Sequence, residues 1–265
     1  MSKIKLDEGS QVFYQWWGKP SVDSNKPIIV LLHEGLGCTA MWREFPEALH
    51  KSTDCPVLSY DRLGYGKSSK TKYGFKMDYI RYEAEVLLPQ VIGQLCQEKD
   101  FILFGHSDGA TIALSAASCM VKRPLAVVAE APHVIIEEVT VEGLKQTRSL
   151  METGDTLYKL SKYHGERTPD LVYDWLECWL SGEMKQWQMD DLLSGIDVPV
   201  LFIQGDEDHF GSIAQYEHMV GLMKTKPDLY WIEKCGHIPH MQYKAEVMNR
   251  FICFLEETLA RSRAE

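Results

Sequence analysis

Long apolar runs, paired-cysteine motifs and a surplus of positive charge are all missing from this sequence. Its 28 Lys and Arg stand against 38 Asp and Glu, a formal net charge of -10. That balance opposes broad binding to nucleic acid or to anionic membranes. No apolar stretch approaches the length that spans a bilayer, and the N-terminal MSKIKLDEGS lacks the apolar core of a secretory signal. The cysteines, at 38, 55, 96, 119, 178, 235 and 253, are odd in number and form no C-x-x-C or zinc-like Cys/His spacing. Several lie in apolar surroundings, where cysteine behaves as a small hydrophobe. Together these absences predict a cytoplasmic chain without a metal, a cofactor, a nucleic-acid partner or a membrane partner.

What is present is an ordinary globular composition, 45% apolar and 25% charged over 265 residues. That is enough chain for one large domain, or one domain with a modest insertion. Short apolar runs recur at 11–17, 28–32, 56–60, 101–105, 125–131, 199–205 and 229–235. Most are continuously apolar, as strands covered on both faces are. Helix-length segments separate them, roughly at 40–50, 78–97, 108–121, 212–224 and 244–261. The alternation predicts an α/β fold with a mostly parallel, doubly wound sheet. From Pro132 to Ile196 the rhythm breaks into helical patterns rich in Trp, Tyr and Leu. We therefore expect a core at 1–132 and 196–265, with a helical cap at 133–195 inserted after the sixth strand. Ligands of open α/β sheets bind beyond the carboxyl ends of the strands, so the strand ends are where chemistry is sought.

The segment FILFG-HSDG-ATIALSAAS runs from strand through Gly105-His106-Ser107-Asp108-Gly109 into a helix of small residues. G-x-S-x-G is a weak pattern alone and a strong one between a strand and a helix. A nucleophile on such a strained turn needs glycine two positions to either side, so that neighbouring backbone can pass. The turn also sets Ser107 at a helix N-terminus, which favours developing negative charge. A serine needs a base, and the base an orienting acid. PVLFIQGDEDHF offers Asp206 and Asp208 at one strand end, and LYWIEKCGHIPHMQ offers His237 and His240 at a later one.

These motifs resemble those of the α/β-hydrolase family, across essentially the whole chain. Family members often carry H-G-x-G, D-x-x-G-x-G-x-S, G-x-S-x-G, G-x-x-D and G-H at successive strand ends. Here they stand at His33–Gly37, Asp61–Ser68, Gly105–Gly109, Gly205–Asp208 and Gly236–His237. The resemblance implies an eight-stranded sheet, with Ser107 as nucleophile, Asp208 as triad acid and His237 as base. It also implies an oxyanion hole from the backbone N–H groups of Gly35 and Asp108. The family's G-x-x-D spacing prefers Asp208 to Asp206, and the strand-end glycine prefers His237 to His240.

The sequence departs from the family at Glu34, where glycine is usual. An ionised carboxylate about 4 Å from an oxyanion would repel it by roughly 4 kcal/mol at an effective dielectric near 20. The leading expectation is a Glu34–Arg62 pair bracing two adjacent loops, since each residue lies two positions past its strand. Contact with substrate is the second reading, and a direct catalytic role the third. Asp108 either caps its helix, meets solvent, or forms an acidic rim that disfavours anionic substrates. His133, just past the sixth strand, is a candidate pocket residue. Trp175 and Trp179 share one helical face and either pack the cap onto the core or line a substrate box. The expected function is a cofactor-independent hydrolase of a small or medium carboxylic ester, with a small-molecule acyl substrate. C–C bond, lactone, amide or thioester cleavage, or lyase chemistry, would use the same residues, and a ligand sensor is the alternative outside enzymology.

Overall fold

The computed structural model describes residues 2–21 and 24–263. Met1, Val22, Asp23, Ala264 and Glu265 of the expected core lie outside them. Among the described residues eight strands form one sheet: β1 (Lys3–Lys5), β2 (Gln11–Trp17), β3 (Ile28–Leu32), β4 (Val57–Tyr60), β5 (Phe101–His106), β6 (Ala126–Glu130), β7 (Val200–Gly205) and β8 (Asp228–Ile232). Their order is β1-β2-β4-β3-β5-β6-β7-β8. The first two strands pair antiparallel and the remainder run parallel. Seven of these strands follow the apolar runs of the sequence. The eighth, KIK, is too short and too polar to signal itself, as suits an edge strand blunted by lysine.

Every residue of β3, β5, β6 and β7 is buried. Side chains alternate between two cores, as the strand period of two dictates. Ile29, Leu31, Ile102 and Phe104 face one core, where α1 (Phe45–Thr53) brings Phe45 and Leu49. Val30, Leu32, Leu103 and Val127 face the other.

The second core is shared by the helices between β4 and β6. The expected helix at 78–97 consists of α2 (Tyr79–Tyr82), a π-helical turn (Glu83–Leu87) and α3 (Leu88–Leu95). Next comes α4 (Asp108–Cys119), buried from Asp108 through Ala117. Its Gly, Ala, Thr and Ser side chains let a helix lie flush against the sheet.

Between β6 and β7 stand α5 (Glu138–Thr153), α6 (Thr156–His164), α7 (Thr168–Leu180) and α8 (Asp190–Leu193). Past β7 come α9 (Ile213–Leu222), α10 (Pro239–Gln242) and α11 (Lys244–Ser262). The last buries Val247, Phe251, Phe254, Leu255 and Thr258 on one stripe against the first core. No helix among the described residues is long and apolar enough to cross a membrane, and all seven cysteines are free thiols.

Candidate active site

Ser107 sits between β5 and α4 at φ 54° and ψ -121°, a conformation that costs a non-glycine residue about 1–3 kcal/mol. Its neighbours make the turn possible. A Cβ on Gly105 would lie 2.1 Å from the carbonyl oxygen of Gly109, and one on Gly109 would lie 2.0 Å from that of Leu32. The Ser107 N–H is spent on the Glu130 carbonyl at 2.9 Å, which ties the turn to β6.

His237 follows β8, and its Nδ1 lies 2.8 Å from Oδ2 of Asp208. Asp208 is held in turn. Its Oδ2 accepts from Gln204 Nε2 at 2.6 Å and its Oδ1 from the Phe210 N–H at 2.8 Å. Burial works to raise this carboxyl, but the charge and hydrogen bond of His237 outweigh it and hold the group at about 2. The competing pair is engaged elsewhere or exposed. Asp206 faces solvent. His240 is buried, with its Nδ1 2.7 Å from Glu130 Oε2 and its N–H donating to Glu130 Oε1 at 2.5 Å.

Ser107 and His237 line one cavity of about 120 Å³, together with Glu34, Gly35, His133, Trp175, Trp179 and Phe210. Its remaining walls are Leu36, Thr140, Leu144 and Thr147. The two threonines and Leu144 come from α5, a helix whose part in the pocket no motif announces. His133 stacks near His237 with ring centres 6.1 Å apart and abuts Trp179 at 5.3 Å. Burial, helped by the His237 charge, pushes its imidazole down to about 3, so His133 is neutral near pH 7.

The tryptophan pair is both anchored and set at a cavity. Trp175 and Trp179 line the cavity, and both are anchored through their indole N–H groups. Trp175 Nε1 donates to Asp108 Oδ2 at 3.2 Å, and Trp179 Nε1 donates to the Tyr79 hydroxyl at 2.8 Å. Tyr79 in turn donates to Asp108 Oδ2 at 2.6 Å. Asp108 is therefore neither a solvated cap nor an acidic rim. It is fully buried, and burial pushes its carboxyl above the usual range against the pull of Arg62. Tyr79 gave no sequence signal, being one aromatic among many at the start of a helix.

The expected Glu34–Arg62 ion pair does not form. Arg62 is 1% exposed, and its Nη2 lies 3.7 Å from Asp108 Oδ2. Arg62 still braces the loop after β3, through backbone rather than through the carboxylate. Its Nη2 donates to the Glu34 carbonyl at 2.9 Å, and its N–H donates to His33 Nε2 at 3.1 Å. Because Nε2 accepts, the neutral His33 ring carries its proton on Nδ1, which donates to the same Glu34 carbonyl at 2.8 Å. The Glu34 carboxylate turns instead toward His106, with Oε2 3.7 Å from Nδ1. That is an ion-pair distance rather than a hydrogen bond. It also crosses its own loop, where a Cβ on Gly37 would lie 2.3 Å from the carboxylate. Burial opposes the charge on both partners. For His106 it is overcome by Glu34 and Glu130, which raise the ring to about 9. For Glu34 it is overcome chiefly by His106, which brings the carboxyl to about 2. His106 Nε2 then donates to the His237 carbonyl at 2.7 Å, so one imidazolium touches the Glu34 loop, the Ser107 turn and the His237 loop.

Among the described residues no group of three or more His, Cys, Asp or Glu side chains could hold a metal ion. The chain is 22% identical, over 95% of its length and 95% of the relative's, to a proline iminopeptidase of Lactobacillus helveticus. Its fold is similar to that of an enol-lactonase from Burkholderia xenovorans, at a TM-score of 0.71 and 19% identity, covering 96% of this chain and all of that one. An esterase from Exiguobacterium antarcticum superposes with a TM-score of 0.72 at 17% identity, over 96% of this chain and 99% of that one. Likenesses at this level of identity speak to architecture. The protein-family model described as the alpha/beta hydrolase family matches residues 29–250, and with that match the chain belongs to the α/β-hydrolase family of hydrolytic enzymes.

Proposed function

We propose that this hydrolase cleaves small or medium carboxylic esters through an acyl-enzyme, with Ser107 as nucleophile, His237 as base and Asp208 as the orienting acid. The observation that carries the reading is the 2.8 Å contact from Asp208 Oδ2 to His237 Nδ1, in a cavity whose wall includes Ser107 on its strained turn. With Nδ1 spent on Asp208, Nε2 is the nitrogen left for the serine proton. Ser107 Oγ attacks the acyl carbonyl as Nε2 takes that proton. The tetrahedral oxyanion is met by the N–H groups of Gly35 and Asp108, and the alcohol leaves with the proton from His237. Water then repeats the sequence on the acyl-enzyme and returns a carboxylic acid and free serine.

Leu36, Leu144, Trp175, Trp179 and Phe210 make the cavity wall mainly apolar, and its volume of about 120 Å³ suits a short acyl or alcohol part. A peptidase reading, raised by the iminopeptidase likeness, is less well supported. The carboxylate in this cavity that could hold a cationic amino terminus, Glu34, already faces the His106 imidazolium.

The test is turnover of p-nitrophenyl acetate and butyrate. Ser107→Ala is expected to lower kcat by about 10⁴–10⁶-fold and to remove the burst of p-nitrophenol. A burst retained in Ser107→Ala would overturn the assignment, and amide turnover exceeding ester turnover would overturn the substrate class.

A further inference from the structure

A second cavity, of about 390 Å³, meets the Ser107 cavity at Glu34, the residue that lines both. Its wall is cationic in a chain whose net charge is -10. Arg43, Lys159 and Lys162 line it, with the buried rings of His106 and His240. Two of the charges are already matched, Lys159 by Asp155 at 2.8 Å and Glu34 by His106 at 3.7 Å. Arg43 and Lys162 have no ion-pair partner among the described residues.

Lysines on one helical face are most often a solvated surface, and Lys159 and Lys162 alone would carry nothing further. Three observations set this cavity apart. The cations converge from different elements, the lysines from α6 and Arg43 from the turn before α1. Arg43 holds φ 50° and ψ -120°, a conformation that non-glycine residues seldom adopt. The His106 ring, which also lines the cavity, is buried, its Nδ1 3.7 Å from the Glu34 carboxylate and without a hydrogen bond. A wall in which Arg43 and Lys162 are unmatched suits an anion, and Glu34 lines both this cavity and that of Ser107.

Resting on the ester-hydrolase reading above, we infer that the Arg43–Lys159–Lys162 cavity receives a carboxylate carried by the substrate, so that the preferred esters are anionic. Hemiesters of dicarboxylic acids and esters of carboxylated alcohols or phenols belong to this class. The chemistry is indifferent to whether the carboxylate belongs to the substrate or to a free dicarboxylate, and the experiment separates the two.

The intact chain is assayed with p-nitrophenyl acetate as the neutral ester. The anionic esters are p-nitrophenyl hemisuccinate and p-acetoxybenzoate. An Arg43→Gln/Lys162→Gln double variant is expected to lose about 10-fold in kcat/KM on at least one anionic ester while staying within about twofold on the neutral one. The wild-type preference for the anionic ester should also shrink as ionic strength rises, because rim charges are screened. Equal effects on neutral and anionic esters, or none on either, would overturn the inference. Glutarate is titrated by calorimetry into both proteins as the second arm. Binding weakened in the double variant, with anionic esters favoured no more than neutral ones, would assign the site to a free carboxylate and overturn the substrate role. If no ester is turned over at all, the ester-hydrolase reading fails, and the calorimetric arm alone decides whether the cavity binds carboxylate.

Discussion

His106 and Asp108 stand on either side of Ser107, and both side chains are buried among charges, but their surroundings are built differently. His106 is a cation set between carboxylates, Glu34 at 3.7 Å and Glu130 on β6. It reaches the third loop of the site through the His237 carbonyl. Asp108 is an anion set between donors, the hydroxyl of Tyr79, the indole of Trp175 and the guanidinium of Arg62. The first neighbourhood joins the loops after β3, β5 and β8 to one another. The second fastens α7 and its tryptophans onto α4, the helix that begins just past Ser107. The difference teaches that a G-x-S-x-G turn can use its two variable positions for separate mechanical tasks, with both side chains turned into the interior.

The comparison breaks most severely at Arg62. Removing the guanidinium leaves Asp108 as an uncompensated buried charge, and losing one partner of a buried pair costs about 3–5 kcal/mol. Arg62→Met is therefore expected to lower the urea midpoint strongly. It also frees the Glu34 carbonyl from its 2.9 Å donor, so ester turnover should fall even at temperatures where the variant stays folded. An Arg62→Met variant with wild-type stability would mean that Asp108 relies on its tyrosine and tryptophan donors alone.

The His106 side is expected to give a smaller effect with a pH signature. Its folded pKa, about 9, lies above the ordinary 6.5, so the folded state binds the proton more tightly than the unfolded chain does. Its contribution is fully present below pH 6.5 and is lost as pH rises through 9. The Glu34 carboxyl works in the acid range, its contribution present above its ordinary 4.5 and lost as pH falls toward 2. Several titratable groups surround the ring: Glu34 from the loop after β3, Glu130 from β6, His133 beyond it, and His237 and His240 from the loop after β8. His133 acts with the opposite sign, since a ring held at about 3 destabilises the fold below pH 6.5. The reading is therefore a difference between proteins. His106→Gln should be less stable than wild type by roughly 1–3 kcal/mol near pH 6, and the gap should narrow between pH 6.5 and 9. A gap that stays constant with pH would mean that the ring is not an imidazolium in the fold.

The smallest expected effect sharpens the other flank. Trp175→Phe keeps most of the apolar wall and deletes a single 3.2 Å hydrogen bond to a carboxylate that retains Tyr79. A stability loss of about 1 kcal/mol is expected, with a change in KM for esters exceeding that in kcat because the indole lines the cavity. A larger effect on kcat would place Trp175 in the reaction rather than in the wall.

Much of the architecture was legible because it is written in local pattern. Continuous apolar runs end in glycine-containing loops, and those runs became β2 to β8. The serine turn carried its own explanation, since only glycine at 105 and 109 lets the backbone pass at about 2 Å from where a Cβ would stand. The order of Asp208 and His237 along the chain placed them at neighbouring strand ends, and β7 and β8 are adjacent in the sheet. Spacing gave no hint of β1, of the α5 threonines in the cavity, or of Tyr79 beneath the tryptophans.

Sequence by itself determined the fold class, the strain at Ser107 and which strand ends could meet, because each depends on residue type within a few positions. Only the tertiary structure decided how the buried charges pair. Arg62 and Glu34 sit at matching offsets past adjacent strands, yet the guanidinium goes to Asp108 and the carboxylate to His106. From one loop a long side chain can reach several buried partners, and the selection follows from which of them would otherwise stay charged and unmatched in the interior. Asp108, wholly inside and tied to Tyr79 and Trp175, has no access to water. Glu34, whose side chain is 25% exposed, keeps partial access and accepts a more distant partner.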